Sequence, residues 1–203
     1  MLRRLLGDAI MAAMALFRRR DRKQADREVE LNREAVDHVL SGGDIHEGSP
    51  FYEKVTPEEG VHVEMLFGKA GMSIASYVVG RSTPMPSKEE QAATMLLADA
   101  AAKAEFHLRC QKADADAVEG WLVGENESRW DGLLSRFPAL ADRNKDAFVA
   151  DARGLIDRNW VNVMTMASAY AHSQSNVEGR EDEFLNTVYV DPDDAVSQGS
   201  ALT

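Results

Sequence analysis

Cysteine is nearly absent from this chain, since Cys110 is the one cysteine among 203 residues. An intrachain disulfide is therefore excluded, which is compatible with a reducing compartment. A bilayer-spanning run is also missing: the apolar residues 5–17 cover thirteen positions and include Asp8, whereas a spanning helix needs roughly 20 apolar residues. The arginine triplet 18–20 follows where a secretory signal would have small residues at a cleavage site. We therefore expect a cytoplasmic protein, with peripheral membrane attachment as an open alternative.

Catalytic and cofactor motifs are missing as well. The chain has no Gly-x-Ser-x-Gly nucleophile elbow, no Gly-x-x-x-x-Gly-Lys-Ser/Thr phosphate loop and no Cys-x-x-Cys-His haem attachment. One local grouping remains, because Glu105, His107 and Cys110 lie within one and a half helical turns. Imidazole and thiolate are both zinc ligands. An enzyme or metal protein that uses these three residues is thus an alternative, although we expect no catalytic residue, no metal and no cofactor.

Positive charge is scarce outside the N-terminus. The net charge is −11, and residues 1–27 hold eight Lys or Arg against three Asp or Glu, so that this end carries +5 and the remainder −16. An acidic body repels phosphate, so we expect no nucleic-acid partner.

The clearest helix in the sequence begins after Ser87. The residues Ser87-Lys88-Glu89-Glu90 form a capping box, in which Ser87 and Glu90 satisfy each other's backbone N–H groups. Alanine is frequent in the following residues, which favours a helix that neighbouring helices approach closely on several sides. We predict one helix over 88–123, with a kink or break near Asp114 as an alternative and Gly124 as its end.

Residues 2–41 predict a long amphipathic, basic helix that ends at Ser41-Gly42-Gly43. Its apolar anchor residues are Leu2, Leu6, Ile10 and Phe17. The basic residues that would contact an anionic membrane or a partner are Arg3, Arg4, Arg18, Arg19, Arg20, Arg22 and Lys23. Two interpretations stay open: residues 1–23 lie on an anionic membrane surface, or the apolar face belongs to the core of a bundle or oligomer.

Residues 57–80 carry conflicting signals. Thr56 and Pro57 are typical of a helix start, because threonine caps the first turn and proline suits its first position. Three glycines and several β-branched residues instead favour strands, so a small β-hairpin at 61–79 is the alternative. The start signal favours the helix.

The C-terminal half predicts further helices and an acidic tail. We expect a short helix within 125–137 and a long one over 139–173 that begins at Pro138. Residues 174–203 are rich in Asp and Glu, which is typical of a flexible tail. They contain one apolar island that could dock on the body, formed by Phe184, Leu185, Val188, Tyr189 and Val190.

Together these patterns predict a mainly α protein, a bundle of about four long helices. We divide it into a long N-terminal amphipathic and basic helix over 1–41, a helical bundle body over 42–173 and an acidic flexible tail over 174–203. The leading functional hypothesis is a non-enzymatic helical assembly or protein-interaction protein that is oligomeric, because apolar helical faces are present without a catalytic constellation. Its partner would be another protein or a second copy. The alternatives are a peripheral membrane protein anchored by residues 1–23 and the enzyme or metal protein described above.

Overall fold

A computed structural model describes residues 57–192 and, within 27–43, positions 27, 30, 33–35, 37–39, 41 and 43; side chains at 57–62 and 173–176 are not described. The described residues are mainly α-helical and their helices pack against one another. The prediction of an α-helical bundle is therefore confirmed. The hairpin alternative at 61–79 is wrong, because these residues lie within one helix.

The continuous part of the described chain consists of helices joined by short connections. In order along the sequence, they are α1 (Pro57–Val79), α2 (Lys88–Arg109), α3 (Ala115–Arg136), a 3-10 turn (Pro138–Leu140), α4 (Lys145–Arg158), α5 (Trp160–Val177) and α6 (Glu181–Val188). None of these helices has the length and apolar character needed to span a bilayer, within the residues described.

The centre of the bundle is α2, as its alanine content predicts. Both halves of the predicted capping box are present, with Ser87 N–H donating to Glu90 Oε2 at 2.9 Å and Glu90 N–H donating to Ser87 Oγ at 3.2 Å. The helix contributes buried residues to three apolar clusters, for example Ala102, Ala93 and Ala104, one in each cluster. Its small side chains thus let neighbours pack on several sides.

The glycines that argued against a helix in α1 are explained by its contact with α2. A Cβ atom on Gly71 would lie 2.5 Å from Ala102 Cβ and 2.8 Å from the Ala98 carbonyl oxygen. A Cβ atom on Gly68 would lie 2.2 Å from Asp99 Oδ1. Close approach of the two helices therefore offsets the helix propensity, about 1 kcal/mol, that each glycine forgoes.

The single helix over 88–123 is wrong in its extent, and the alternative of a break near Asp114 is confirmed, because the chain leaves the helix at 110–114. Lys112 has a φ of 50°, in the left-handed region that interrupts a helix. Asp114 then caps a new helix by accepting a hydrogen bond from Ala117 N–H at 2.9 Å. Gly124 does not end a helix but lies inside α3, so the predicted short helix over 125–137 is the second half of α3.

The predicted helix over 139–173 is likewise two helices. Asn144 caps α4 by accepting from Asp146 N–H at 3.0 Å and Ala147 N–H at 3.3 Å. The break between α4 and α5 falls at Asn159, a buried residue whose side chain accepts a hydrogen bond from Tyr189 Oη at 2.8 Å. The boundary between α4 and α5 thus coincides with a hydrogen bond from a residue thirty positions farther along the chain.

The described residues of the predicted N-terminal helix are helical up to Val39 and pack on the bundle. Gly43 N–H donates to the His38 carbonyl at 2.9 Å, a bond typical of a helix end, which confirms the predicted stop near Ser41. Ala35 and Val39 are buried in the main apolar cluster. Arg33 Nε donates to the Ala171 carbonyl of α5 at 3.2 Å.

The apolar island of the predicted acidic tail docks on the body. Leu185 of α6 is buried in the main apolar cluster. Farther along, the Asn162 side chain of α5 makes two hydrogen bonds with the Val190 backbone. Asn162 Nδ2 donates to the Val190 carbonyl at 2.8 Å, and Asn162 Oδ1 accepts from the Val190 N–H at 2.9 Å. Residues 193–203 lie outside the described part.

Candidate interaction surface

One face of α3 is fixed firmly against α2. Val118 and Leu122 pack with Ala100 and Ala104 in one apolar cluster. Trp130 and Leu133 pack with Ala93 and Leu97 in another. These buried positions follow the helical period along α3, so its opposite face points away from the bundle.

Arg129 fixes the orientation of α3 about its own axis relative to α2. Its Nη2 lies 2.5 Å from Asp99 Oδ2 of α2, and its Nη1 donates to the Leu96 carbonyl at 3.2 Å. Lys103 Nζ lies 3.2 Å from the same Asp99 carboxylate. Because these side chains are largely buried, removing one partner would leave a poorly compensated charge.

The outward face of α3 carries small residues at every fourth position. Gly120, Gly124, Ser128 and Gly132 are all exposed, and we call these four residues the α3 stripe. Residues four apart lie above one another on a helix, so the α3 stripe forms a shallow groove about 18 Å long.

No contact within the described chain explains the three glycines of the α3 stripe. A Cβ atom built on Gly120, Gly124 or Gly132 would meet no atom within 4 Å apart from the neighbouring backbone of the helix itself. Each glycine costs a helix about 1 kcal/mol relative to alanine. The glycines of the α3 stripe thus differ from Gly68 and Gly71 in α1, whose missing side chains make room for α2.

The surroundings of the α3 stripe combine one apolar side chain with acidic ones. Val123 is 54% exposed. Glu119 and Glu127 are paired with Arg153 and Lys145 of α4, respectively. The hydrogen bond to Glu127 raises the pKa of Lys145 above its ordinary value.

Asp116 and Asp131 also lie on the outward side of α3, and both are exposed. Neither makes an ion pair within the described residues. The Asp131 charge contributes to the raised pKa of Lys145, so Asp116 is the carboxylate more open to basic groups on a partner.

The residues predicted to contact a membrane or partner belong to the N-terminal segment 1–23. The four apolar anchors and seven basic residues within 2–23 lie outside the described residues. That prediction therefore stays a prediction, as does the division of the chain into three parts.

The structure does not bring Glu105, His107 and Cys110 together. Glu105 pairs with Arg109 at 2.5 Å, while Cys110 is buried in the main apolar cluster. His107 instead contacts Gln111 and Glu64. The described residues contain no group of three His, Cys, Asp or Glu side chains that could hold a metal ion.

His107 belongs to a half-buried polar contact between α1 and α2. Its Nε2 lies 3.6 Å from Glu64 Oε2, and Nδ1 faces Gln111 Oε1. The polar contact with Glu64 raises the pKa of His107, and burial and the Lys103 charge oppose this rise. The same contact lowers the pKa of Glu64. Both shifts favour the charged pair.

No protein-family model, curated protein or solved structure matches this chain. The α3 stripe was missed from the sequence, where Gly124 was interpreted as a helix end. The signal that could have found it was the four-residue repeat of small residues from Gly120 to Gly132.

Proposed function

We propose that this chain is a non-enzymatic helical assembly protein that docks a helix on the α3 stripe. The observation that carries the proposal is the line of exposed glycines that no contact among the described residues requires. Small residues at intervals of four let the backbones of two helices approach closely. A docked helix would therefore account for the helix propensity that α3 forgoes.

The geometry of the α3 stripe favours a helix as the docked element. Grooves along the i±4 rows accept the corresponding ridges of a second helix at a crossing angle of about −50°. A groove of about 18 Å matches roughly twelve residues of such a helix. The docked helix belongs to a protein partner or to a second copy of this chain.

The chemistry around the groove favours a partner helix with apolar and basic side chains. Val123 offers an apolar contact. Asp116 offers an exposed carboxylate that makes no ion pair within the described residues. The basic, amphipathic segment 1–27 has the complementary composition, which supports self-association.

Light scattering tests this proposal with two matched substitutions. Gly124→Leu fills the groove with a side chain that has free space in the isolated chain, so the fold is expected to persist. Ala150→Leu places the same side chain at an exposed position of α4. We expect association to be lost in Gly124→Leu and retained in Ala150→Leu.

A second candidate function is peripheral membrane attachment through residues 1–23. It is supported by the charge of +5 on residues 1–27 against −16 on the remainder, because basic amphipathic helices bind anionic lipid surfaces. Vesicle flotation compares the full chain with a chain lacking residues 1–27 on anionic and neutral lipid. We expect only the full chain to float, and only on anionic lipid at low salt; equal behaviour of both chains would contradict this candidate.

A further inference from the structure

A cavity of about 490 Å³ lies between α1, α2, α5 and the first turn of α6 with the two residues before it. This volume falls in the range of roughly 300–1,000 Å³ that is typical of small-molecule sites. The residues that line it come from these elements and not from α3, so the cavity and the α3 stripe are separate features.

A chain of three polar side chains joins the helices around the cavity. Ser73 Oγ of α1 and Tyr170 Oη of α5 are 2.8 Å apart, and Tyr170 Oη donates to Glu181 Oε1 at 3.2 Å. Burial raises the pKa of the Tyr170 hydroxyl above its ordinary value, and the Glu181 charge adds to the rise. The phenol thus stays protonated and keeps donating its hydrogen bond.

The two cations of the lining are already neutralised. Lys69 Nζ pairs with Glu178 and lies 4.3 Å from the centroid of the Tyr170 ring. Arg180 Nη2 lies 2.6 Å from Glu183 Oε2. The lining therefore offers little free positive charge to an anionic ligand.

Two carboxylates of the lining remain without a cation. Glu181 accepts the Tyr170 hydrogen bond, but neither it nor Asp182 makes an ion pair anywhere in the described part of the chain. Glu181 is half-buried and Asp182 is exposed. Carboxylates attract a cationic group, and hydrogen bonds to such charged acceptors are roughly twice as strong as neutral ones.

Two methionines give the cavity an apolar, adaptable surface beside the polar Ser76. Met72 of α1 and Met95 of α2 both contribute to the lining. Methionine side chains are flexible and polarisable, so they adjust to apolar groups of different shape.

We propose that this cavity binds a small organic amine, with its ammonium group at Glu181 and Asp182 and its apolar body against Met72 and Met95. The ammonium donates to the two carboxylates, and its apolar body leaves water as it contacts the methionines. A carboxylate ligand of the same shape is disfavoured because it would face the same two acidic side chains. This inference is independent of helix docking at the α3 stripe.

Isothermal titration calorimetry on the full chain tests the charge preference. The probes are 2-phenylethylamine and 3-phenylpropanoate, which share an aromatic ring and a short chain but differ in charge. We expect the amine to bind at least about tenfold more tightly than the acid, since like charges repel at the carboxylates. Equal affinities, or no detectable binding of the amine, would overturn the proposal.

A pair of double variants then locates the binding. Glu181→Gln with Asp182→Asn removes the two carboxylates of the lining that make no ion pair, whereas Asp142→Asn with Asp151→Asn removes two exposed carboxylates elsewhere. We expect amine affinity to fall about tenfold in the first variant and to stay unchanged in the second. Retained affinity in the first variant would refute the assignment. So would tight binding of a lysine-containing peptide without binding of the free amine, because the occupant would then be a protein side chain. Should the first variant unfold by circular dichroism, the wild-type comparison of amine and acid still decides.

Discussion

At the scale of single residues, two buried or half-buried polar contacts of α2 link it to α1 and α3. Asp99 is 8% exposed and forms ion pairs with Lys103 of its own helix and with Arg129 of α3. His107 reaches Glu64 of α1. Buried charges are tolerated where they are paired in this way, and loss of one partner is costly. Of these contacts, the one between His107 and Glu64 responds to pH within a range that experiments reach easily.

Replacing His107 by glutamine is expected to change how stability depends on pH. The raised pKa of His107 means that its contribution is complete below the unfolded value of about 6.5 and is lost as pH rises through the folded value. The lowered pKa of Glu64 means that its contribution is complete above about 4.5 and is lost as pH falls through the folded value. Both contributions are therefore present between these two limits.

The measurement is urea denaturation of wild type and His107→Gln at pH 5.5 and pH 8.5. We expect the variant to be less stable by about 1 kcal/mol at the lower pH, and by less at the higher pH. A titration by NMR gives the control, because Glu64→Gln should return the pKa of His107 toward its ordinary value. A stability difference that is the same at both pH values would contradict this account.

At the scale of helices, the sequence predicts where helices exist better than where they end. The starts at Pro57 and Ser87 were predictable because their signals are local: a proline at the first position and a capping box. The start at Asp114 also has a local signal, a capping aspartate, and a break near this residue was the alternative to one continuous helix. The break at Asn159 could not be predicted, because it coincides with a hydrogen bond from the distant Tyr189.

Glycine shows the same contrast between local and distant causes. Its propensity argues against a helix in both α1 and α3. Only the three-dimensional packing reveals that α2 occupies the space where a Gly71 side chain would lie, whereas the corresponding space at Gly124 is open. The candidate site was therefore visible in the sequence as a repeat, but its exposure was not.

Two identical substitutions should thus have opposite effects on stability. Gly71→Ala places a Cβ atom 2.8 Å from the backbone oxygen of Ala98, which cannot move aside easily, so we expect a loss of roughly 1–3 kcal/mol. Gly124→Ala meets no neighbouring atom and should gain about 0.5–1 kcal/mol from its better helix propensity. Urea denaturation at low protein concentration measures both, so that association does not contribute. The account is wrong about α1 if Gly71→Ala is neutral or stabilising.

At the scale of the whole molecule, residues near both ends of the described chain form hydrogen bonds with α5. Near its C-terminal end, the Ala171 carbonyl accepts from Arg33 of the N-terminal helical residues. Near its start, Asn162 holds the backbone of Val190. The outward face of α3 takes no part in these contacts, and it keeps its glycines open. That face is therefore the surface on which the proposed assembly depends.

The most direct test of the assembly proposal is the mass of the protein in solution, measured by light scattering over a wide range of concentration. The chain has a mass of 22.4 kDa. We predict that the wild type rises above this mass as concentration increases and that Gly124→Leu stays at it, with Ala150→Leu behaving as the wild type. A wild type that remains at the monomer mass at every concentration, and that retrieves no partner protein from its source, would contradict the proposal. An association that Gly124→Leu leaves unchanged would exclude the α3 stripe as its interface.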